Sequence, residues 1–238
     1  MRTVPQKLKK WIDESKRIVF FGGAGVSTES GIPDFRSVDG LYNQKFDYPP
    51  ETIISHSFYL KDPGYFFRFY KEKMLPLDFE PNITHKVLAQ WEQQGKLLAV
   101  ITQNIDGLHQ KAGSQNVLEL HGSVHRNYCQ KCKKFYDGYF VRDSAGVPKC
   151  ACGGIVKPDV VLYEEPLDGF VTQAAVDAIR RADLLIVAGT SLTVYPAAGL
   201  IDYYNGDRLV LINRDKTPFD HRADLVYHDS LGEIFSKL

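Results

Sequence analysis

Apolar residues recur along this chain in two registers. Short runs rich in β-branched and aromatic residues, at 18–21, 97–101, 117–120, 183–188, 208–212 and 225–227, read as buried strands. Between them, apolar positions return at helical spacing. Leu8, Trp11 and Ile12 share one face of a helix over 5–15, with Pro5 near its start. Val87, Leu88 and Trp91 share a face over 84–95, which Gly95 is placed to terminate. Further helices are predicted over 168–182, 196–203 and 230–238. Strands alternating with helices predict an α/β fold with a doubly wound parallel sheet.

Two segments break the alternation. From 37 to 80 the chain is crowded with aromatics, from Tyr42 to Phe79, and punctuated by Pro49-Pro50, Pro63-Gly64 and Pro76. It reads as short helices and loops inserted into the main fold, either an aromatic-packed subdomain or a binding surface. Between 129 and 152 lie all four cysteines of the chain, as Cys129-x2-Cys132 and Cys150-x-Cys152.

The polar positions that matter most follow the strands. After Phe21 come Gly22, Gly23 and Gly25, where the backbone can turn tightly and approach a ligand. Ser27 is placed to cap a following helix, whose free N–H groups would bind an anion. This is a candidate phosphate cradle, although glycine-rich strand–turn–helix links also arise from packing alone. The third glycine of a dinucleotide fingerprint is replaced by Thr28, and Pro33, Asp34, Phe35 and Arg36 soon follow in an irregular loop. The strand at 97–101 runs into Gln103, Asn104, Asp106 and His109, at the end of the sheet where open α/β folds bind ligands.

Composition narrows the function classes. The 238 residues carry 29 basic and 29 acidic side chains, so no global field points to nucleic acid. No apolar run approaches the roughly 20 residues of a membrane helix, and no apolar segment follows the basic N-terminus, so a cytoplasmic location is expected. Cysteines confined to one short segment of such a chain read as metal ligands rather than disulfides. Four thiolates fill a tetrahedral Zn2+ shell, which makes the zinc structural. Lys131, Lys133, Lys134 and Lys149 would help keep the thiols ionised, and Gly153-Gly154 would relieve crowding. Those lysines would also suit a nucleic-acid-reading ribbon, against which the neutral chain argues.

Taken together, the strand-end motifs resemble those of the sirtuins, NAD-dependent protein-lysine deacylases, in their short bacterial-type form. The resemblance rests on Gly23-Ala-Gly-Val-Ser-Thr-Glu-Ser-Gly-Ile-Pro-Asp-Phe-Arg36, Thr102-Gln-Asn-Ile-Asp-Gly-Leu-His109, His121-Gly122, the cysteines, Gly189-Thr-Ser191 with Val194 and Pro196-Ala197, and Ile212-Asn213. It implies a Rossmann-like NAD-binding domain from 1–36, 81–123 and 155–238. A small domain would combine the helical insert at 37–80 with a zinc-ribbon module at 124–154. It further implies that Gly23, Ala24, Gly25 and Ser27 meet the NAD phosphates and that Phe35 and Arg36 lie on a cofactor loop. Gln103 and Asn104 would face the nicotinamide ribose, Ile105 and Asp106 the nicotinamide amide, and Gly189, Thr190, Ser191 and Asn213 the phosphate and adenosine side.

His121, with Asn104 and Asp106, would be catalytic. Of the seven histidines it alone heads a His-Gly pair between a short strand and the zinc module; His109 and His125 read as structural. In the family the acyl oxygen attacks the ribose carbon to give an alkylimidate, and a ribose hydroxyl deprotonated through the histidine attacks in turn. The products are nicotinamide, deacetylated lysine and O-acetyl-ADP-ribose. Partners would be acetylated proteins or peptides, lying along Val160, Val161, Leu162 and Tyr163, with neither membrane nor direct nucleic-acid binding. The alternatives are protein mono-ADP-ribosyl transfer and a non-catalytic NAD-sensing or zinc-ribbon module.

Two departures from the family pattern bear on substrate. The peptide strand, often Val-x-Phe-Gly-Glu, reads Val161-Leu-Tyr-Glu-Glu165 here, and Glu164 and Glu165 are expected to favour basic residues around the target lysine. Where desuccinylating members carry a Tyr-x-x-Arg pair, Phe67 and Tyr70 stand here, and Arg68 is out of register. A preference for acetyl or other neutral acyl groups is expected.

Overall fold

The computed structural model describes residues 6–34 and 46–238. Helix α1 (Gln6–Glu14) leads into β1 (Ile18–Gly22), and two single 3-10 turns follow at Ala24–Val26 and Thr28–Ser30. The insert contributes α2 (Pro50–Ile53), α3 (His56–Lys61) and α4 (Pro63–Lys73). Then come α5 (Ile83–Gln93), β2 (Leu97–Thr102), α6 (Leu108–Lys111) and β3 (Val117–Glu119). The cysteine segment is framed by β4 (Gly122–Cys129), β5 (Phe135–Tyr136), α7 (Gly138–Asp143) and β6 (Val156–Val160). Last are α8 (Gly169–Arg181), β7 (Leu184–Ala188), a 3-10 helix (Ala197–Tyr203), β8 (Leu209–Ile212), β9 (Leu225–Tyr227) and α9 (Leu231–Phe235).

Six strands form one parallel sheet in the order β3-β2-β1-β7-β8-β9. Counted along the chain that is 3-2-1-4-5-6, the doubly wound Rossmann order, with its reversal between β1 and β7. Both faces are covered, which is why the strands read as continuous apolar runs. Val19, Phe21, Ile101, Leu185 and Leu211 pack on one face with Ala175, Ile179, Leu200 and Ile201. Ile18, Phe20, Val100, Ile186 and Val210 pack on the other with Leu8, Leu88, Trp91 and Phe235. Phe20 and Phe21 are both fully buried, on opposite faces, as the two-residue period of a strand dictates.

A third core joins the insert to the cysteine segment. Ile53, Phe66, Phe67 and Tyr70 are buried against Val124, Cys129, Val141 and Val156. The aromatics interlock mostly edge-to-face, as in Tyr59–Phe66 at 5.1 Å and Phe66–Phe67 at 5.1 Å between ring centroids. Of the two readings of the insert, packing is the one these rings adopt. The antiparallel sheet of this unit runs β5-β4-β6. The expected division gives everything from residue 155 to the large domain, yet β6 pairs with β4 and faces the third core. Among the described residues, no helix is long and apolar enough to cross a membrane.

Candidate active site

The C-terminal ends of β1 and β7 meet where the sheet order reverses, and the turns beyond them are packed backbone to backbone. Gly25 N–H donates to the Gly189 carbonyl at 2.8 Å and Gly23 N–H to the Ala188 carbonyl at 3.2 Å. A Cβ on Gly25 would come within 2.8 Å of Gly189 Cα, and Gly189 itself sits at φ +59. These glycines are therefore required for close approach of two turns. The N–H groups of Gly23 and Gly25 are thus taken up by the end of β7 and its turn, and that of Gly189 by the Ile212 carbonyl of β8.

Ser27 does not cap a helix as expected. Its side chain makes no cap bond to the following turn. Instead its hydroxyl donates to Asp106 Oδ2 at 2.7 Å and accepts from Asn104 Nδ2 at 3.0 Å. The other Asp106 oxygen, Oδ1, accepts the Leu108 N–H at 2.9 Å. Burial pushes the Asp106 carboxyl above the usual carboxylate range, while the donors Leu108 and Ser27, with the nearby His125, pull it back. His125 reaches the backbone carbonyl of Asp106 through Nε2 at 2.9 Å, a structural role as expected. His109 is fully buried, and its ring nitrogens have no hydrogen-bond partner among the described residues.

His121 stands across from this group. Its Nδ1 lies 2.9 Å from the Gln103 carbonyl. A carbonyl only accepts, so Nδ1 carries the proton and Nε2 keeps its lone pair. Burial lowers the imidazole below its ordinary pKa, with the Gln103 bond opposing, so the ring is neutral at physiological pH. Gln103 is held in turn by its Nε2 on Thr190 Oγ1 at 3.0 Å.

Ser27, Gln103, Asn104, Asp106, His121 and Thr190 face one cleft of about 570 Å³, within the range of small-molecule sites. It is lined by Gly23, Ala24, Gly25, Ser27, Gln103, Asn104, Ile105, Asp106, His121, Val160, Val161, Leu162, Tyr163, Gly189, Thr190, Ser191 and Asn213. Every expected cofactor, catalytic and peptide residue within the described chain is thus brought to one place. Phe35 and Arg36 lie outside the described residues. The sequence reading missed Met74, Pro76, Tyr195, Arg214 and Ser230, which also line the cleft. Ser230 Oγ donates to Glu29 at 2.6 Å, a contact across most of the chain length that leaves no local signal.

The segment after β6 departs from expectation. Glu164 takes φ +76, the left-handed region, where the family pattern has glycine. Its carboxylate accepts Ser57 N–H at 2.8 Å and Ser57 Oγ–H at 2.9 Å. Glu165 contacts His56 Nδ1 at 2.8 Å and accepts from Leu162 N–H at 2.9 Å and Lys157 Nζ at 3.2 Å. Both carboxylates are engaged by their own chain, which removes the basis for expecting them to select basic residues in a substrate.

The four cysteine sulfurs converge. All lie within 4.8 Å of one another, Cys129–Cys152 at 3.4 Å and Cys132–Cys150 at 3.6 Å. A tetrahedral zinc with Zn–S bonds of about 2.3 Å needs sulfurs about 3.8 Å apart, so the donor set fits Zn2+. Backbone N–H groups of Lys131 and Cys132 point at Cys129 Sγ, each at 3.4 Å. A Cβ on Gly154 would lie 2.6 Å from that sulfur, so glycine is needed there.

A model of the Sir2 family matches residues 23–196, from the glycine turn through the cysteine segment to Pro196. The chain belongs to the Sir2 family. Among its Sir2 relatives, the NAD-dependent protein deacetylase of Clostridium perfringens is 61% identical over 98% of this chain and 97% of its own. The enzyme of that name from Clostridium acetobutylicum is 60% identical over 96% and 95%. A solved Sir2 variant bound to a deacetylated peptide and 3′-O-acetyl ADP-ribose superposes with a TM-score of 0.90 at 39% identity, covering 98% of this chain and 96% of that one. A Sir2–peptide–NAD+ complex gives 0.87 at 40% identity, covering 98% and 95%.

Proposed function

We infer that this cleft carries out NAD-dependent removal of acetyl groups from protein lysines. The chain is an NAD-dependent protein deacetylase, and the roles assigned to individual residues below are our proposal. The observation that carries them is the pairing of a neutral His121, its Nε2 lone pair available, with the Ser27–Asn104–Asp106 group in the same cleft.

NAD, consumed as a co-substrate, supplies the ribose carbon that accepts the acyl oxygen as nicotinamide leaves. Positive charge builds on the ribose as that bond breaks. A buried carboxylate such as Asp106, preorganised by its own donors, opposes that charge in a site of low dielectric. His121 Nε2 takes the proton from the ribose hydroxyl that attacks next, and the Gln103 carbonyl holds the resulting imidazolium in place. The target peptide lies along Val160–Tyr163. Cys129, Cys132, Cys150 and Cys152 would fill the shell of a zinc ion and leave no open position, so its work would be to hold β4 and β6.

A cytoplasmic location belongs to the same proposal, supported by four converging cysteine sulfurs that form no disulfide. Direct nucleic-acid binding is not part of it, given a net charge of zero.

The test is turnover of an acetyl-lysine peptide with NAD, following nicotinamide, deacetylated peptide and O-acetyl-ADP-ribose together. His121→Ala is expected to lower kcat by about a hundredfold or more, the usual contribution of a positioned base. Nicotinamide release with ADP-ribose on protein and no deacetylated lysine would favour mono-ADP-ribosyl transfer. NAD binding without any product would favour a sensing module.

A further inference from the structure

Beneath the cleft floor lie two buried histidines that the mechanism does not use. We propose that one of them, His85, is a positioning residue: from the core it fixes the hydroxyl of Ser27 and, through it, the carboxylate of Asp106. The proposal rests on the reading of Asp106 as the acid on the nicotinamide side.

An ionised Asp106 only accepts, so the single hydroxyl proton of Ser27 goes to Oδ2, at 2.7 Å. One Ser27 lone pair takes the Asn104 amide at 3.0 Å. His85 Nε2 lies 3.5 Å from the same oxygen, on the side of the helix α5 core. Its other nitrogen, Nδ1, is 3.3 Å from the backbone N–H of Asn82. A backbone N–H can only donate, so Nδ1 is bare, Nε2 carries the proton, and that proton is directed at Ser27. Ser27 is thereby fully satisfied, with one bond given and two received.

The ring is also held. His85 is fully buried, and the His109 ring packs against it at 4.7 Å between centroids. Burial lowers its pKa to about 4, so it stays neutral and brings no second charge beside Asp106. A separation of 3.5 Å is at the long end for a hydrogen bond. Such contacts commonly tighten when the substrate complex forms. Without His85, one lone pair of Ser27 loses its donor and the hydroxyl is free to rotate away from Asp106. The cost then falls on the cofactor side of the cleft and not on the peptide side.

The experiment uses the full zinc-loaded chain and compares His85→Leu, His85→Asn and His85→Gln. Leucine removes the donor, asparagine keeps an amide too short to reach, and glutamine places an amide near the position of Nε2. NAD affinity is read by calorimetry, and KM for NAD and for acetyl peptide are measured separately. Nitrogen NMR of the histidine ring reads the tautomer. Leucine and asparagine are expected to weaken NAD binding about tenfold, with peptide KM changed less than about twofold, and glutamine to recover most of the loss. The ring is expected to show Nε2–H.

Unchanged NAD affinity in the leucine and asparagine variants, an Nδ1–H ring, or a glutamine variant as weak as asparagine would each overturn the proposal. Should the leucine variant fail to fold, the asparagine–glutamine comparison still decides. Asp106→Asn separates the two readings. If it leaves NAD binding intact, the role given to Asp106 fails and this proposal with it. If it weakens binding while the His85 variants do not, positioning alone is wrong.

Discussion

Glu164 and Tyr70 show how single residues shape the peptide and acyl sides of this chain. Glu164 occupies a left-handed backbone position at φ +76, which costs a non-glycine residue on the order of 1 kcal/mol. Its two bonds to Ser57 offset that strain and turn the side chain toward α3. Tyr70 is buried in the third core, its hydroxyl without a partner among the described residues, and neither it nor Phe67 lines the cleft. Arg68 points outward and stacks over the Tyr65 ring at 4.4 Å. Lys73 does line the cleft, but its ammonium pairs with Glu72 at 2.9 Å. The α4 positions 67 and 70 thus give the carboxylate of a negatively charged acyl group no bidentate cation to pair with. Acetyl-lysine peptide should therefore be turned over at least about tenfold faster than its succinyl counterpart, because an unpaired carboxylate is expensive to desolvate. A head-to-head kcat/KM comparison checks this; faster desuccinylation refutes it. At this scale the gathering of Asn104, Asp106 and His121 at one cleft was legible, because polar side chains just past a buried strand have few other reasons to be there. Ser27 was misread as a cap. Its true partner, Asp106, is 79 positions away and cannot be seen locally.

Elements were legible where periodicity alone decides them. The strand expected at 225–227 is β9, and the helix expected over 168–182 is α8 with Asp168 capping it through Phe170 and Val171 N–H. Ala197–Tyr203 is a 3-10 helix rather than an α-helix. The pairing of β6 with β4 could not be read from strand pattern, since it depends on the two cysteine pairs folding back on one another. That dependence gives a prediction. Chelating the zinc, or Cys132→Ser, releases β4 from β6 and loosens Val160–Tyr163, while the β1–β7 floor is untouched. Peptide KM should rise about tenfold or more, whereas NAD affinity should change less than about threefold, the pattern of a structural metal. Calorimetry with each ligand, beside a melting curve, tests it; equal loss of both affinities contradicts it.

Across the whole molecule, the buried histidines set the response to acid. Unfolded histidine takes up a proton near pH 6.5, while folded His85 resists until about pH 4 and His109 is likewise held well below 6.5 by burial. Between those values the unfolded chain binds more protons than the folded one, so stability falls as pH is lowered through 6.5. Asp106, whose carboxyl is raised by burial, acts in the opposite sense at lower pH. Together with His121, lowered in the same way, the two histidines should leave the fold measurably less stable at pH 5 than at pH 7. Urea unfolding at the two pH values measures this, and His85→Gln should flatten the difference; equal stability at both would contradict it.

The contact between Gly25 and Gly189 carries a consequence for biogenesis. Chain emerging from a ribosome presents β1 and its turn early, but the strand that must lie beside it, β7, is among the last to appear. Until then the turn at Gly23–Val26 has no wall to close against, and ordering it would cost loop entropy with nothing gained. With NAD bound at this turn, as proposed, nascent or truncated chains ending before β7 should fail to bind NAD, however well their first strands have formed. Competence to bind the co-substrate should then be acquired late, and retention of newly made chains on immobilised NAD, compared with chains ending before β7, measures it.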